Sequence, residues 1–499
     1  MITLRKKINK LFLMLMKKHF YIDIVIMVTI LMHLLISPYI KIEERMNMHA
    51  IYDILFFGVT KEGLKNYDHF EFPEGVPRTF IGAFLLSGIV FPIKYTLEWF
   101  LKELNKFFIQ MLVRASLGIY NSLAISMFRY KVIKRYGVNT GLWYGIFQAS
   151  QFHVMYYASR TLPNTFAFGI CTLLMSCFFE NEKKHILKGF EIIILTIAHA
   201  LYFWACNFIK MKEIIKTCIF SGVAGLLCSI MIDSWFWQKY LWPEGVSFHF
   251  NVIQRKSSDW GKVSPWHVYF SKYIPKLLLN PFFFILWGIS LFTRKDTVNL
   301  LVPNIIFVLI YSLLPHKEWR FVVYVIPSLT LMSAVGATWI FNRRHKSLVF
   351  MTMFVMLVIA TVASFFINIA MSLISSLNYP GGFAIQSLHD NFNLFEGERV
   401  YLDIYTRMTG ATLFLQHNEK VMYDRTENVT ELDHCNFLET VDWAIVHVSN
   451  LKPCKDWEVK SVIKGYSGIK KISFSSIYDT LLGLLILTRI CIVIFWFHT

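Results

Sequence analysis

"YIDIVIMVTILMHLLISPYIKIEERMNMHA" runs from Tyr21 to Ala50. The part up to Ile40 is long and apolar enough to cross a bilayer as a helix. Arg5, Lys6, Lys7, Lys10, Lys17 and Lys18 precede it, and nothing after it resembles a signal-peptidase site. It reads as a signal anchor with a cytosolic N-terminus. Glu43 and Glu44 then stand where the helix leaves the membrane, on the lumenal side.

The pattern repeats along the chain. Of 499 residues 55% are hydrophobic, and the mean hydropathy is +0.47, above the level of soluble domains. The formal net charge is +17. Its Lys and Arg residues cluster between apolar runs, so they mark cytosolic loops rather than a nucleic-acid surface. The clusters are "FRYKVIKRYG" (128–137), "ENEKKH" (180–185), "KMKEIIK" (210–216), "TRKD" (293–296) and "NRRHK" (342–346). Between them lie expected spans at 109–128, 141–158, 163–180, 217–233, 275–292, 298–314, 321–341 and 348–375, with a last one at 477–497.

Parity then imposes two irregularities. The run 80–93, interrupted by Pro92, reads as an interfacial or re-entrant helix. The run 187–208 has basic clusters at both ends, so it reads as two short passes meeting near His199. The expected fold is an all-α polytopic membrane protein of about 12 crossings, broken helices included. Three domains are expected: a transmembrane module over 1–375, a small lumenal α/β domain over 376–476 and a C-terminal helix over 477–499. Both termini are expected in the cytosol.

Six cysteines fall in apolar runs and read as core. Cys435 and Cys454 lie in the polar stretch and are expected to pair if it faces an oxidising lumen. The same stretch holds one sequon, Asn428-Val429-Thr430. There is no zinc spacing, no Gly-rich phosphate loop and no DxD on the cytosolic side.

Unusual residue types gather in the lumenal stretches. "KIEERMNMHAIYDIL" and "NYDHFEFPEGVPRTF" bring Glu43, Glu44, Asp68, Glu71 and Arg78 among aromatic rings. A carboxylate at a helix end can act as a general base, and carboxylates with aromatics suit a sugar. In "QFHVMYYASRTLPN" Arg160 sits in a tight turn closed by Pro163 and is a candidate phosphate ligand. The stretch 233–270 carries five tryptophans, as an interfacial belt would. A belt does not account for Asp233 or for Asp259-Trp260-Gly261. In "SLLPHKEWRFVVYVIP", His316, Lys317, Glu318 and Arg320 open a span on the lumenal side. That runs against the positive-inside trend and points to an anionic ligand.

"HKEWRF" resembles the HKE-x-RF signature of the dolichyl-phosphate-mannose-dependent mannosyltransferases of the GT-C superfamily. "YDHFEFPEGVPRTF", "SRTLPN", "DSWFWQKYLWPEGVSFHFN", "SSDWG", "NYPGGFAIQSLH" and "DIYTRMTGATLFLQ" resemble the branch that adds an α-1,6-linked eighth mannose to the N-glycan precursor. The chain departs from that branch at Arg45-Met46, where Ser-Phe is usual, and at the bulkier Thr406-Arg407.

The resemblance implies a GT-C enzyme of the endoplasmic reticulum membrane with a lumenal active site. It implies a dolichyl-phosphate-mannose donor, a dolichyl-diphosphate-linked oligosaccharide acceptor, contact with membrane lipid, and no cofactor or obligatory metal. The reaction would invert, with Glu43 or Glu44 as base. Arg160, His316, Lys317 and Arg320 would hold the donor phosphate, and Glu318 would orient a cation. Asp68, Glu71, Arg78, Asp233 and Trp260 would support the acceptor side. The alternatives are a glycosylphosphatidylinositol-anchor mannosyltransferase, a lipid transporter without enzymatic activity and a lumenal scaffold.

Overall fold

The structure is a computed structural model. It describes residues 20–72, 75–101, 104–177, 193–208, 210–254, 256, 261, 263–418, 420–426, 437, 440–447, 457–466 and 490–497. Trp260, the Asn428 sequon, Cys435 and Cys454 lie outside these residues.

Helices of ten residues or more are α1 (Phe20–Ile36), α2 (Ile42–Phe57), α3 (Ile81–Leu101), α4 (Lys106–Tyr136), α5 (Val138–Ser150), α6 (Pro163–Cys177), α7 (Ile193–Ala205), α8 (Met211–Trp237), α9 (Phe282–Thr293), α10 (Val298–Ser312), α11 (Ile326–Arg343), α12 (Leu348–Ser376) and α13 (Pro380–Asn391). Among the described residues five helices are long and apolar enough to cross a membrane: α3, α4, α8, Trp319–Arg343 and α12. A sixth span results if Tyr269–Leu278 and α9, bent by 97°, count as one. The chain is thus a mostly helical, multi-pass membrane protein, and its helices follow the expected runs closely.

Three expectations change. Pro92 does not break α3, which continues to Leu101. Pro92 donates no backbone hydrogen bond, and Thr96 Oγ1 donates to its carbonyl at 2.7 Å. α7 passes straight through His199, whose ring meets the Leu195 carbonyl one turn back, so no turn lies there. Ile490–Phe497, expected within a last helical span, is a strand. Its sequence, "ICIVIFWF", is β-branched or aromatic at every position but Cys491, and periodicity alone does not separate such a run from a buried helix.

The chain divides into two compact units. The first comprises Met1–Leu34, Phe72–Leu85 and Arg114–Ala370. Its core runs from Ile22 and Ile26 through Phe147, Phe283 and Val325 to Ile340. A buried ion pair joins Asp23 of α1 to Arg129 of α4, with Nε to Oδ1 at 2.7 Å. Each charge is tolerated there because the other neutralises it. Gly336 of α11 lies against the Leu286 backbone of α9, and a Cβ would collide with that carbonyl.

The second unit comprises Leu35–Glu71, Leu86–Val113 and Met371–Thr499. It contains a five-stranded mixed sheet of β1 (Arg399–Leu402), β2 (Met422–Asp424), β3 (Trp443–His447), β4 (Trp457–Gly465) and β5 (Ile490–Phe497), in the order β2-β1-β3-β5-β4. β1 pairs in parallel with β2 and β3, whereas β5 runs antiparallel to β3 and β4. The expected α/β character of the C-terminal region is present. Its core is shared with the first polar segment: Tyr39 packs with Tyr379, Ile385, Leu402 and Trp443 in one cluster. The "NYPGG" glycines permit this, because Gly381 faces the Thr406 carbonyl and Gly382 the Tyr39 ring.

Candidate functional site

Within the second unit, α2 begins on Lys41, and Glu43 and Glu44 form its first turn. Glu44 is fully buried, and its Oε1 accepts from the Lys41 backbone N–H at 3.1 Å. It holds the reciprocal half of a capping box. Glu43 is half-buried in the same turn. One turn further on α2 carries His49, and then Asp53.

The acidic stretch after α2 folds back onto it. The Asp68 backbone N–H donates to Asp53 Oδ2 at 3.0 Å. Asp68 Oδ2 meets His49 Nδ1 at 2.7 Å, and its Oδ1 accepts from Arg425 of the C-terminal region. Glu71 is exposed and reaches the same guanidinium at 3.3 Å. Burial works against the charge of Asp68, but His49 and Arg425 beside it outweigh that and hold its carboxyl well below the usual carboxylate range. Burial pushes His49 down, so the ring is neutral and donates Nδ1–H to the carboxylate.

Burial pushes Asp53 up to about 8. At neutral pH the native state keeps a proton there that the unfolded chain, near 3.8, has lost. Stability from this group is therefore full below about 4 and falls as pH rises through about 8. Asp53→Asn should flatten the fall of the unfolding temperature between pH 5 and 8 in detergent, and unchanged slopes would refute this ionisation state.

Within the first unit, Arg160 is fully buried in the turn between Phe152–Tyr157 and α6. Pro163 takes the first position of α6, where its missing N–H costs nothing. The guanidinium lies 4.3 Å from the Tyr156 ring and donates to the Tyr156 hydroxyl. Arg114 of α4, also fully buried, reaches the Ser159 carbonyl of the same turn at 3.4 Å.

The HKE stretch is extended, so alternate side chains diverge. Glu318 Oε1 bridges the His316 ring, with Nε2 at 2.9 Å, and the Arg320 guanidinium, with NH2 at 2.7 Å. Lys317 points the other way and is capped by the carbonyls of Ser264, at 3.0 Å, and Leu314. Arg320 lines a pocket with His153, Tyr157, Asn164 and Trp319. Tyr157 and Trp319 have ring centroids 4.4 Å apart. A cation beside aromatic faces and an amide suits a sugar phosphate. Asp233 is fully buried and spends its oxygens on the Phe80 N–H, Thr79 Oγ1 and Ser229 Oγ, which ties the start of α3 to α8. Arg78 is half-buried and its carbonyl accepts from Trp237 Nε1.

The structure thus joins Asp68, Glu71 and α2 in one unit, and in the other it joins Glu318 with His316 and Arg320, and sets Arg160 against Tyr156. It sets Lys317 and Asp233 on backbone and anchoring contacts. His49, Arg114 and Arg425 escaped the sequence reading. A guanidinium 357 residues from its carboxylate leaves no local signal.

Residues 20–403 match the Alg9-like mannosyltransferase family. The chain is 32% identical, over 94% of its length and 70% of the relative's, to the Dol-P-Man:Man(7)GlcNAc(2)-PP-Dol α-1,6-mannosyltransferase of Drosophila melanogaster. It is 31% identical to the enzyme of the same name from Saccharomyces cerevisiae, over 90% of this chain and 88% of that one. Its fold is similar to that of ArnT from Cupriavidus metallidurans, solved with undecaprenyl phosphate, at a TM-score of 0.53 with 11% identity over 95% of this chain and 97% of that one. The chain belongs to the Alg9-like mannosyltransferase family.

Proposed function

We propose that this chain transfers mannose from dolichyl-phosphate-mannose, in α-1,6 linkage, to the dolichyl-diphosphate-linked seven-mannose oligosaccharide. The carrying observation is likeness to enzymes of that name over nearly the whole chain. Purified protein given this donor and a defined seven-mannose acceptor should release an eight-mannose product. Transfer only to a glycosylphosphatidylinositol acceptor would overturn the reading.

The donor bond is β and the product α, so the reaction needs one base and a stabilised leaving group. Glu43 is the better base, since Glu44 serves the helix cap. It takes the proton of the acceptor 6-hydroxyl as the anomeric bond opens. Negative charge then grows on dolichyl phosphate and needs fixed cations. Arg160, oriented on Tyr156, and Arg320, oriented on Glu318, serve that role, with His316 in support. Asp68, Glu71, Arg78 and Trp260 belong to the acceptor side.

The reaction belongs on the lumenal face of the endoplasmic reticulum. The basic clusters support this orientation. Glycosylation sites engineered into 59–63 should be used in cells. Their absence, with glycan gained near Arg343, would invert the topology.

A further inference from the structure

A narrow pocket in the second unit has Leu402, Ala411 and Leu413 in its wall and Arg45, His49 and Gln416 as polar lining. Arg45 and His49 stand one turn apart on α2, on the same face. Arg407 and Arg425 also line it, and Arg425 is compensated by Asp68 and Glu71.

His49 is the group that points to a ligand. It is 5% exposed, and its Nδ1 is held 2.7 Å from Asp68 Oδ2. Asp68 is fixed in turn by Arg425 and by its own N–H on Asp53. Asp68 is not among the residues that line the pocket, so the ring edge turned away from it is the one presented to the cleft. That edge carries Nε2, which is buried and has no hydrogen-bond partner among the described residues. A buried acceptor without a partner destabilises the fold unless a donor reaches it. The ring is neutral with its one proton on Nδ1, so Nε2 only accepts. An ionised phosphate or diphosphate diester has no proton to offer it. A hydroxyl has, and the Gln416 amide and the Arg45 guanidinium beside it suit further hydroxyls. An apolar wall with a few polar groups is the usual make-up of a small-molecule site.

We infer that this pocket is a sugar subsite, in which His49 Nε2 accepts a hydrogen bond from a hydroxyl of the acceptor oligosaccharide. Arg45 and Gln416 hold neighbouring hydroxyls, and Leu402, Ala411 and Leu413 lie against the C–H face of the same sugar residue. The site draws on neither Arg407 nor Arg425 for recognition. Asp68 acts through His49, by fixing the ring and its tautomer. That the ligand is a neutral sugar follows from the side chains; that this sugar belongs to the acceptor rests on the proposed reaction.

The test uses the full chain in detergent, with a free seven-mannose oligosaccharide, bearing neither lipid nor phosphate, as probe. The probe should raise the unfolding temperature of wild type and compete with acceptor but not with donor. His49→Asn and His49→Gln divide the two duties of the ring. Asn sets an amide N–H where Nδ1 stands, so it keeps the bond to Asp68 but has no acceptor at the Nε2 position. Gln can bring its carbonyl oxygen to that position. His49→Asn should therefore weaken probe binding and raise the acceptor KM about tenfold, the effect of one lost buried hydrogen bond. Its donor KM and its unfolding temperature without probe should stay near wild type. His49→Gln should recover part of the loss. A ring that merely supports the fold predicts the opposite order, because Asn is the variant that keeps Asp68. Gln416→Ala, at a half-buried position, should raise the acceptor KM by a smaller factor and keeps the test open if the His49 variants fail to fold. An unchanged acceptor KM in His49→Asn, or in Gln416→Ala where His49→Asn does not fold, would overturn the subsite. So would a donor KM that rises along with it. Wild type that is stabilised by the oligosaccharide but transfers no mannose would sink the proposed reaction and leave the subsite standing.

Discussion

Glu43→Gln should cut turnover about 10²–10⁴-fold, the usual contribution of a positioned general base. The donor KM should stay near wild type, because the cations proposed for the phosphate are other residues. Gln keeps the shape and the hydrogen-bonding reach of Glu but cannot take a proton. Glu44→Gln is the contrast. Its carboxylate caps α2 through the Lys41 N–H, and a Gln carbonyl can still accept that bond. The variant should lose some thermal stability and little turnover. Rates at saturating donor and acceptor, with membrane insertion checked, separate the two. Near wild-type rates in Glu43→Gln would leave the pair as interface charge and move the search for the base to Asp68, Glu71 and Asp233.

Arg320→Ala should raise the donor KM by about tenfold to a hundredfold, as expected when one charge-assisted phosphate contact is lost. The lesion has two parts. The phosphate loses a guanidinium, and Glu318 is left with His316 alone. Arg320→Lys should recover little, because Lys cannot reproduce the two-nitrogen grip on Glu318, seen here at NH2 and Nε. Glu318→Gln should weaken donor binding less than Arg320→Ala, since the cation remains and only its aim is loosened. An Arg320→Ala enzyme with unchanged donor KM and lowered turnover would instead place this residue at the transition state alone.

The helices were legible because each long apolar run has one solution in a bilayer. The Arg160 turn was legible because Pro163 marks a helix start. Irregularities inside apolar runs were not. Proline signalled a break that α3 does not make, and equal basic flanks signalled a turn at His199 that α7 does not make. The final strand failed for another reason: its residues suit a buried strand as well as a helix. At the site, sequence grouped residues that are neighbours in the chain, such as His316 with Glu318. It missed His49 and Arg425, whose meaning arises only when α2 and β2 are brought into one unit.

The link from Asp68 to Arg425 sets a clock on assembly. The two residues are 357 positions apart. At ribosomal rates of about 5–20 residues per second, roughly 20–70 s pass between their syntheses. Throughout that interval the segment bearing Glu43 waits without the guanidinium that will neutralise its neighbour. Tyr39 waits equally for Tyr379 and Trp443. The segment encoded first is therefore completed last, and a nascent chain stopped before Arg425 would present an unfinished surface to the quality-control system.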